Sequence, residues 1–203
     1  MQASAQKLMQ KDHSSFQART AESSESKKVT ATASAGAASK TYEVKVNAIA
    51  TSQTNSGTFL SKVDTSVVSK GINQFNITIG GKTTKVSAVI SDNDTNAQAL
   101  TKLKDAVHAA KTGVTAGIET DDKTGNKKLE LSSDKTGADQ AFEVEDITGN
   151  AMSATGVKNV TQLASNASYS VNGGATQTSQ ANTIDKGNRQ QFKDKGYNSS
   201  KPA

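Results

Sequence analysis

The sequence predicts a mainly β protein of the α+β class, and three local patterns support that prediction. Residues 42–46 alternate apolar and polar side chains, as in a strand with one buried face. Residues 75–79 and 82–90 also alternate, and they flank the pair Gly80-Gly81, which suits the positive φ angles of a two-residue hairpin turn. Residues 97–110 carry apolar side chains at helical spacing. We therefore expect an N-terminal helical segment followed by a β-rich domain with one amphipathic helix between hairpins.

The N-terminal residues 1–21 have the pattern of a short polar helix. Four residues lie on one stripe of this helix: Leu8, Met9, His13 and Phe16. So thin an apolar stripe cannot stabilise a helix alone, and it requires a partner helix. We interpret His13 as a solvated helix residue and not as a ligand.

The remaining elements follow from short periodic runs separated by turn-forming residues. Residues 91–95 form a predicted helix cap, and Gly113 stands at the predicted helix end. Strands are predicted at 29–33, 114–118, 128–131, 142–145 and 167–171, with a weak strand within 175–184. Residues 51–57 and 121–126 are predicted turns, and 150–166 a loosely patterned connection. The resulting domain prediction is a helical segment at 1–26, connecting strands at 27–72, the hairpin–helix–hairpin domain at 73–184, and a disordered basic tail at 185–203.

Composition and charge argue against several classes of protein. Only 33% of the 203 residues are hydrophobic and 4% aromatic, which is lean for a compact enzyme. The net charge of +5 belongs to the chain ends: six basic and three acidic residues occur up to Lys40, and five basic and one acidic from Lys186. A basic face with stacking aromatic residues is not visible, so nucleic-acid binding is not expected. No apolar run is long enough to predict a membrane span.

The residues that could carry chemistry are better explained by turns and caps. The chain has no cysteine, which excludes disulfides and thiol chemistry. Asp92, Asp94 and Asn96 have the 1, 3, 5 spacing of a calcium loop. Ala97 and Leu103 occupy the positions that such a loop needs for glycine and glutamate, so a helix cap is the better interpretation.

The other titratable candidates also lack partners for catalysis. Asp121 and Asp122 lie in a predicted turn, and His108 lies on the polar side of the predicted helix beside Asp105 and Lys111. We therefore predict no catalytic residue, no metal ligand and no cofactor-binding residue, and we expect that the protein is not an enzyme.

Residues 15–56 resemble the N-terminal region of the bacterial flagellar filament cap protein family, one of the flagellar hook-associated proteins. The family pattern is a helix ending near a phenylalanine, a serine-rich break, a small-residue strand, a Gly/Ala segment, a strand of the form Tyr-x-x-x-Val-x-x-(Leu/Ile)-Ala, and a polar Gln/Ser tail. The positions that match are Phe16, Ser23, Ser24, 29–33, Gly36, Tyr42, Val46, Ile49, Ala50 and Gln53. The order and spacing of these positions carry the resemblance.

The next hundred residues resemble the β-hairpin, helix, β-hairpin unit that cap proteins share with flagellins. Residues 75–90, 97–110 and 129–137 follow that pattern, although Val107-His108 stands where the family usually has Ile-Asn. The resemblance extends to about residue 184 and then stops, so we expect a truncated or fragmentary chain.

The resemblance implies a structural subunit with a β-rich head above a helical leg. Family members form an oligomeric plate at the filament tip that promotes flagellin assembly. The implied partners are other copies of the chain, flagellin, hook–filament junction proteins, an export chaperone, and host mucin or surface glycans. The implied location is extracellular, after export through the flagellar channel without a cleaved signal peptide; residues 1–15 lack the apolar core of such a peptide.

Two other functions remain open from the sequence. A flagellin or hook–filament junction subunit would share the β unit, but it should begin with a long heptad-like helix, whereas residues 1–26 are short and broken. An extracellular adhesin or carbohydrate-binding module would suit the strands rich in Ser, Thr and Asn, but few aromatic residues are available as a glycan platform.

Overall fold

A computed structural model describes residues 19–34, 36–185 and 190–194. The described strands, in chain order, are β1 Val29–Ala33, β2 Val44–Ala48, β3 Thr54–Ser56, β4 Gly71–Ile79, β5 Lys82–Ile90, β6 Val114–Thr120, β7 Lys127–Ser133, β8 Phe142–Thr148, β9 Val160–Gln162, β10 Ala167–Val171, β11 Gln177–Ser179, β12 Thr183–Asp185 and β13 Gln190–Asp194. The described helices are α1 Asn96–Ala110 and α2 Ala151–Ala154, with a 3-10 turn at Ala138–Gln140. The predicted mainly β, α+β class is confirmed.

The chain divides into two compact units. We call Ala50–Asn166 the central unit, and Met1–Ile49 together with Ala167–Ala203 the terminal unit. The first is continuous in sequence, whereas the second is assembled from both ends of the chain.

The central unit contains two antiparallel sheets and the long helix. One sheet has the strand order β5-β4-β8 and the other β6-β7-β3-β9. Both sheets and α1 supply side chains to one core, and its fully buried members include Phe75, Leu103 and Leu131. Burying large apolar side chains from several elements in one cluster is the main favourable contribution to folding.

The β4–β5 hairpin forms as the alternation predicts. All nine residues of each strand pair, from Gly71 with Ile90 to Ile79 with Lys82. The turn residues Gly80 and Gly81 have φ angles of 56° and 75°, the left-handed values that a two-residue hairpin turn of type I′ requires.

Helix α1 begins where the sequence predicts, and it ends two residues before the predicted stop at Gly113. The Thr95 side chain accepts a hydrogen bond from the Gln98 backbone N–H, and the Gln98 side chain accepts one from the Thr95 N–H. This reciprocal capping box satisfies two backbone donors that the first helical turn leaves without partners. The helix ends at Lys111, which has a left-handed φ of 47°.

The terminal unit contains two smaller sheets whose strands come from distant parts of the chain. Strand β13 lies between β1 and β12, and β10 lies between β11 and β2. A small core forms from Tyr169, Ile184 and Phe192. The Tyr42 ring meets the Phe192 ring edge to face, with 5.5 Å between centroids. Long-range strand pairing therefore builds this unit.

Several sequence predictions differ from the structure. Residues 51–57 were predicted as turn, yet β3 lies inside a sheet between β7 and β9. The predicted connection 150–166 contains α2 and β9. The predicted disordered tail is wrong at Gln190–Asp194, which forms β13 because β1 and β12 offer it pairing partners on both sides.

Two sequence predictions, the N-terminal helix and the domain boundaries, are not compared with the structure. The N-terminal helix, including His13, lies outside the described residues. The domain boundaries derived from sequence remain a prediction.

Candidate functional site

The three residues with calcium-loop spacing make hydrogen bonds or ion pairs within the protein, near the start of α1. The Asp94 carboxylate accepts hydrogen bonds from the Ser91 backbone N–H at 2.6 Å and from the Lys102 ammonium at 2.5 Å. Lys102 is the main cause of a lowered Asp94 pKa, and the Ser91 bond adds to it, whereas burial opposes the shift. Neither donor is a free backbone N–H of the first turn of α1, whose N-cap is Thr95, so Asp94 stabilises the loop before the helix and is not itself the cap.

Asn96, the third residue of that spacing, anchors a loop of the central unit. Its carbonyl oxygen accepts from the Val67 backbone N–H at 2.8 Å, and its amide nitrogen donates to the Ser61 carbonyl at 3.0 Å. Asn96 is 3% exposed, so these two bonds replace the hydrogen bonds to water that its side chain loses on burial. Asp92 lies at the surface, 3.7 Å from the Lys70 ammonium. The three side chains therefore do not converge on one point.

His108 makes a structural contact at the edge of a sheet. Its Nε2 lies 2.8 Å from the Ala116 carbonyl oxygen on β6. Because a carbonyl can only accept, His108 is the donor in this contact and carries a proton on Nε2. The side chain thereby ties the last turn of α1 to the outer edge of β6.

The predicted Asp121–Asp122 turn is held by the first of the two carboxylates. The Asp121 carboxylate accepts from the Thr124 hydroxyl and backbone N–H, both at 2.7 Å, and from the Lys123 N–H at 3.2 Å. The Thr124 hydroxyl bond is the main cause of a lowered Asp121 pKa. This is the geometry of an Asx turn and not of two carboxylates facing one substrate.

Gln53 has a structural role that periodicity did not reveal. Its Nε2 donates to the Phe142 carbonyl at 2.6 Å, and its Oε1 accepts from the Phe142 backbone N–H at 3.2 Å. Nε2 also lies 2.8 Å from the Asn55 carbonyl oxygen. The side-chain amide thus pairs with β8 as a neighbouring strand would, and it closes the edge of that strand at Phe142. The sequence marked Gln53 as a position that matches the family pattern, but it did not indicate this role.

The terminal unit has a recess of about 810 Å³. It is lined by residues 19–25, parts of β1, residues 37–44 and the Phe192 ring. Its charged lining residues have both signs, including Arg19 and Glu22, and its lining contains no histidine or cysteine. Nothing in this lining forms a nucleophile–base pair.

Within the residues that the structure covers, no three His, Cys, Asp or Glu side chains are grouped to hold a metal ion. No helix in the same part of the chain is long and apolar enough to cross a bilayer. The polar side chains described above stabilise turns, helix ends and strand edges.

Two solved structures share the fold of this chain. It is similar to the D2–D3 domains of the flagellar cap protein FliD from Escherichia coli, with a TM-score of 0.67 and 23% identity over 84% of this chain and 90% of that one. The D1–D2–D3 structure from the same organism gives a TM-score of 0.76 and 23% identity over 98% of this chain and 61% of that one. The fold is therefore that of flagellar cap head domains.

Sequence comparisons agree with this fold. Residues 1–53 match the family model described as flagellar hook-associated protein 2 N-terminus. The B-type flagellar hook-associated protein 2 of Pseudomonas aeruginosa is 34% identical over an alignment 137 residues long that covers 64% of this chain. The resemblance to the flagellar filament cap family predicted from the sequence is confirmed. The match spans about a quarter (26%) of the length of the Pseudomonas relative.

Proposed function

We propose that this chain is a structural subunit of the bacterial flagellar filament cap, part of an oligomeric plate at the filament tip that promotes flagellin assembly. The observation that carries the proposal is the shared fold, which extends over 84% of this chain and 90% of the Escherichia coli D2–D3 structure. The N-terminal family match over residues 1–53 is further support, because it rests on sequence and most of it lies outside the β-rich central unit.

The use of polar side chains supports a structural role in preference to an enzymatic one. The carboxylate of Asp94, the ring of His108 and the amide of Gln53 all make contacts within the fold. A general acid or base would need to face a substrate site instead. We therefore propose a subunit that works through its surfaces and without a cofactor.

The finer parts of the proposal concern place and partners. We propose that residues 1–26 form the start of a helical leg, since a thin apolar stripe requires a partner helix. We propose export through the flagellar channel without signal cleavage, with an export chaperone before release and hook–filament junction proteins and flagellin as neighbours afterwards. Contact with host mucin or surface glycans is a further proposal that rests on the family resemblance alone.

The test is complementation of a Pseudomonas aeruginosa strain that lacks its own cap protein. The full chain is joined to the C-terminal segment of the Pseudomonas relative, and that C-terminal segment alone serves as the control. We expect the fusion to restore swimming and to move flagellin from the medium into filaments. The proposal fails if the fusion is exported in normal amounts while flagellin still accumulates as monomer in the medium.

The solution mass of the same two proteins, measured by light scattering, tests the plate directly. We expect the fusion to form a ring-sized oligomer. A fusion that stays monomeric at all concentrations contradicts the plate and favours a stand-alone surface protein.

A further inference from the structure

The sheet β5-β4-β8 has two faces of different character. Its inner face supplies buried residues such as Phe75, Ile77 and Val86 to the core of the central unit. Its outer face carries the alternate residues of the same strands, which are half-buried or exposed. An open sheet of this kind can accept a second layer on its outer face.

The outer face carries opposite charges on its two sides. Asn76 of β4 pairs with Lys85 of β5 on one side and with Glu145 of β8 on the other. Two residues along, Thr78 pairs with Thr83 and Glu143 in the same way. The face therefore carries one positive charge on the β5 side, at Lys85, is neutral along β4, and carries two negative charges on the β8 side, at Glu143 and Glu145.

The far end of the same face is apolar. Ile72 and Val89 lie directly opposite each other and are 58% and 59% exposed. Ile147, at the bulge of β8 beside Gln74, is 49% exposed. Adjacent exposed aliphatic side chains on a face that is otherwise polar are typical of a contact surface.

We propose that this outer face docks against the same face of a second copy of the chain, related by a two-fold axis that runs along β4. Such a rotation exchanges the β5 side with the β8 side and keeps each residue at its height along the strands. Lys85 of each copy then meets Glu145 of the other, and Thr83 meets Glu143, twice each. The apolar ends, centred on Ile72, meet at the axis. A contact of this kind is isologous, with one self-complementary patch on each copy.

The charges also exclude the other simple two-fold arrangement. An axis running across the strands would place the apolar end near Ile72 against the Thr78 and Glu143 end of the other copy. It would bury aliphatic groups against a carboxylate and leave Lys85 and Glu145 without opposite charges, which is unfavourable. Charge complementarity thus selects the axis along β4.

The area of the outer face determines how strongly two copies should associate. Three strands of nine residues or fewer cover roughly 14 Å by 30 Å, or about 400 Å² for each partner. This is below the area of a stable dimer, so the isolated chain should associate weakly and reversibly. Several such contacts would act together if each copy also belonged to a ring. The contact itself does not depend on the proposed cap function, because it joins two copies of the chain alone.

Charge-reversal variants of the full chain, studied by sedimentation equilibrium at low salt, test the proposal. Lys85→Glu and Glu145→Lys each place like charges together twice, and we expect each to weaken self-association by roughly tenfold or more. An equimolar mixture of the two variants restores opposite charges at both contacts, so its association should return to the level of the wild type. Lys82→Glu makes the same charge change at the hairpin end of β5, outside the residue pairs that meet in the proposed contact. This variant should associate like the wild type.

Circular dichroism of each variant confirms that the fold is kept. The proposal is overturned if the wild type stays monomeric at its highest soluble concentration. It is overturned equally if the two single variants associate as the wild type does, or if their mixture does not recover. Because the chain is studied alone, these results are independent of whether it restores swimming.

Discussion

The two units of this protein are built from similar strands but are held together differently. The central unit, Ala50–Asn166, surrounds a single core with strands from two sheets, a long helix and fully buried residues such as Phe75 and Leu103. The terminal unit has a core of three buried residues, Tyr169, Ile184 and Phe192, with partly buried side chains packed around them. Apolar burial should therefore stabilise the central unit more than the terminal unit.

The two units also differ in the sequence separation of the strands that pair. In the central unit the β4–β5 hairpin closes over two glycines, so its contacts are local. In the terminal unit Val29 of β1 pairs with Asp194 of β13, and Val44 of β2 with Val171 of β10. Closing such loops costs entropy before any contact is made. The terminal unit thus depends more on each of its few large side chains.

The largest expected effect is the loss of a central core ring. Phe75→Ala removes a side chain that is fully buried, and it should lower the free energy of unfolding by about 3–5 kcal/mol through lost burial and a cavity. Urea denaturation measures this. Ile72→Ala on the exposed face of the same strand is the control, and it should change stability by less than about 0.5 kcal/mol at low protein concentration. Equal effects of the two substitutions would contradict the core described here.

A smaller and more local effect is expected in the terminal unit. Phe192→Ala removes the ring that meets Tyr42, and it should cost about 3 kcal/mol, the lower end of the range for such a change. Amide exchange should become faster in β1 and β12, while protection in β4 and β5 is kept.

Phe59→Ala is the matched control for Phe192→Ala, because the Phe59 ring is 41% exposed. It should leave exchange in β1 and β12 unchanged. Loss of protection in all four strands of the Phe192 variant would show that the two units unfold together, and it would remove the distinction drawn here.

The smallest effect is expected at the start of α1, and it depends on pH. Asp94→Asn removes the charge-assisted bond to Lys102 and should cost about 1–2 kcal/mol at neutral pH. Because the folded state lowers the Asp94 pKa, this stabilisation is complete above the unfolded-state value, about pH 4, and is lost as the pH falls through the lower folded-state value.

The stability difference between wild type and Asp94→Asn should therefore close on acidification. Thermal unfolding of both proteins between pH 7 and pH 2 measures this difference. Asp92→Asn is the control, since the exposed Asp92–Lys70 pair at 3.7 Å should contribute little at any pH. A difference that stays constant with pH would refute the role given to the Asp94 charge.

Sequence periodicity predicted the elements whose contacts are local. The hairpin around Gly80-Gly81 and the helix capped by Thr95 and Gln98 form where they were predicted. Turn chemistry likewise predicted the role of Asp121. In each case the hydrogen-bond partners lie within a few residues, or alternate along two adjacent strands, so the local pattern contains the necessary information.

The sequence alone determined the fold class, the main hairpin, the long helix and the family resemblance, because each depends on short-range patterns or on residue order. Only the tertiary structure decided that Thr54–Ser56 is an inner strand, that Gln53 closes the edge of β8, and that Gln190–Asp194 pairs with β1. These segments have weak strand propensity of their own. Their conformation is set by backbone groups elsewhere in the chain that need hydrogen-bond partners, and no local pattern records such a partner.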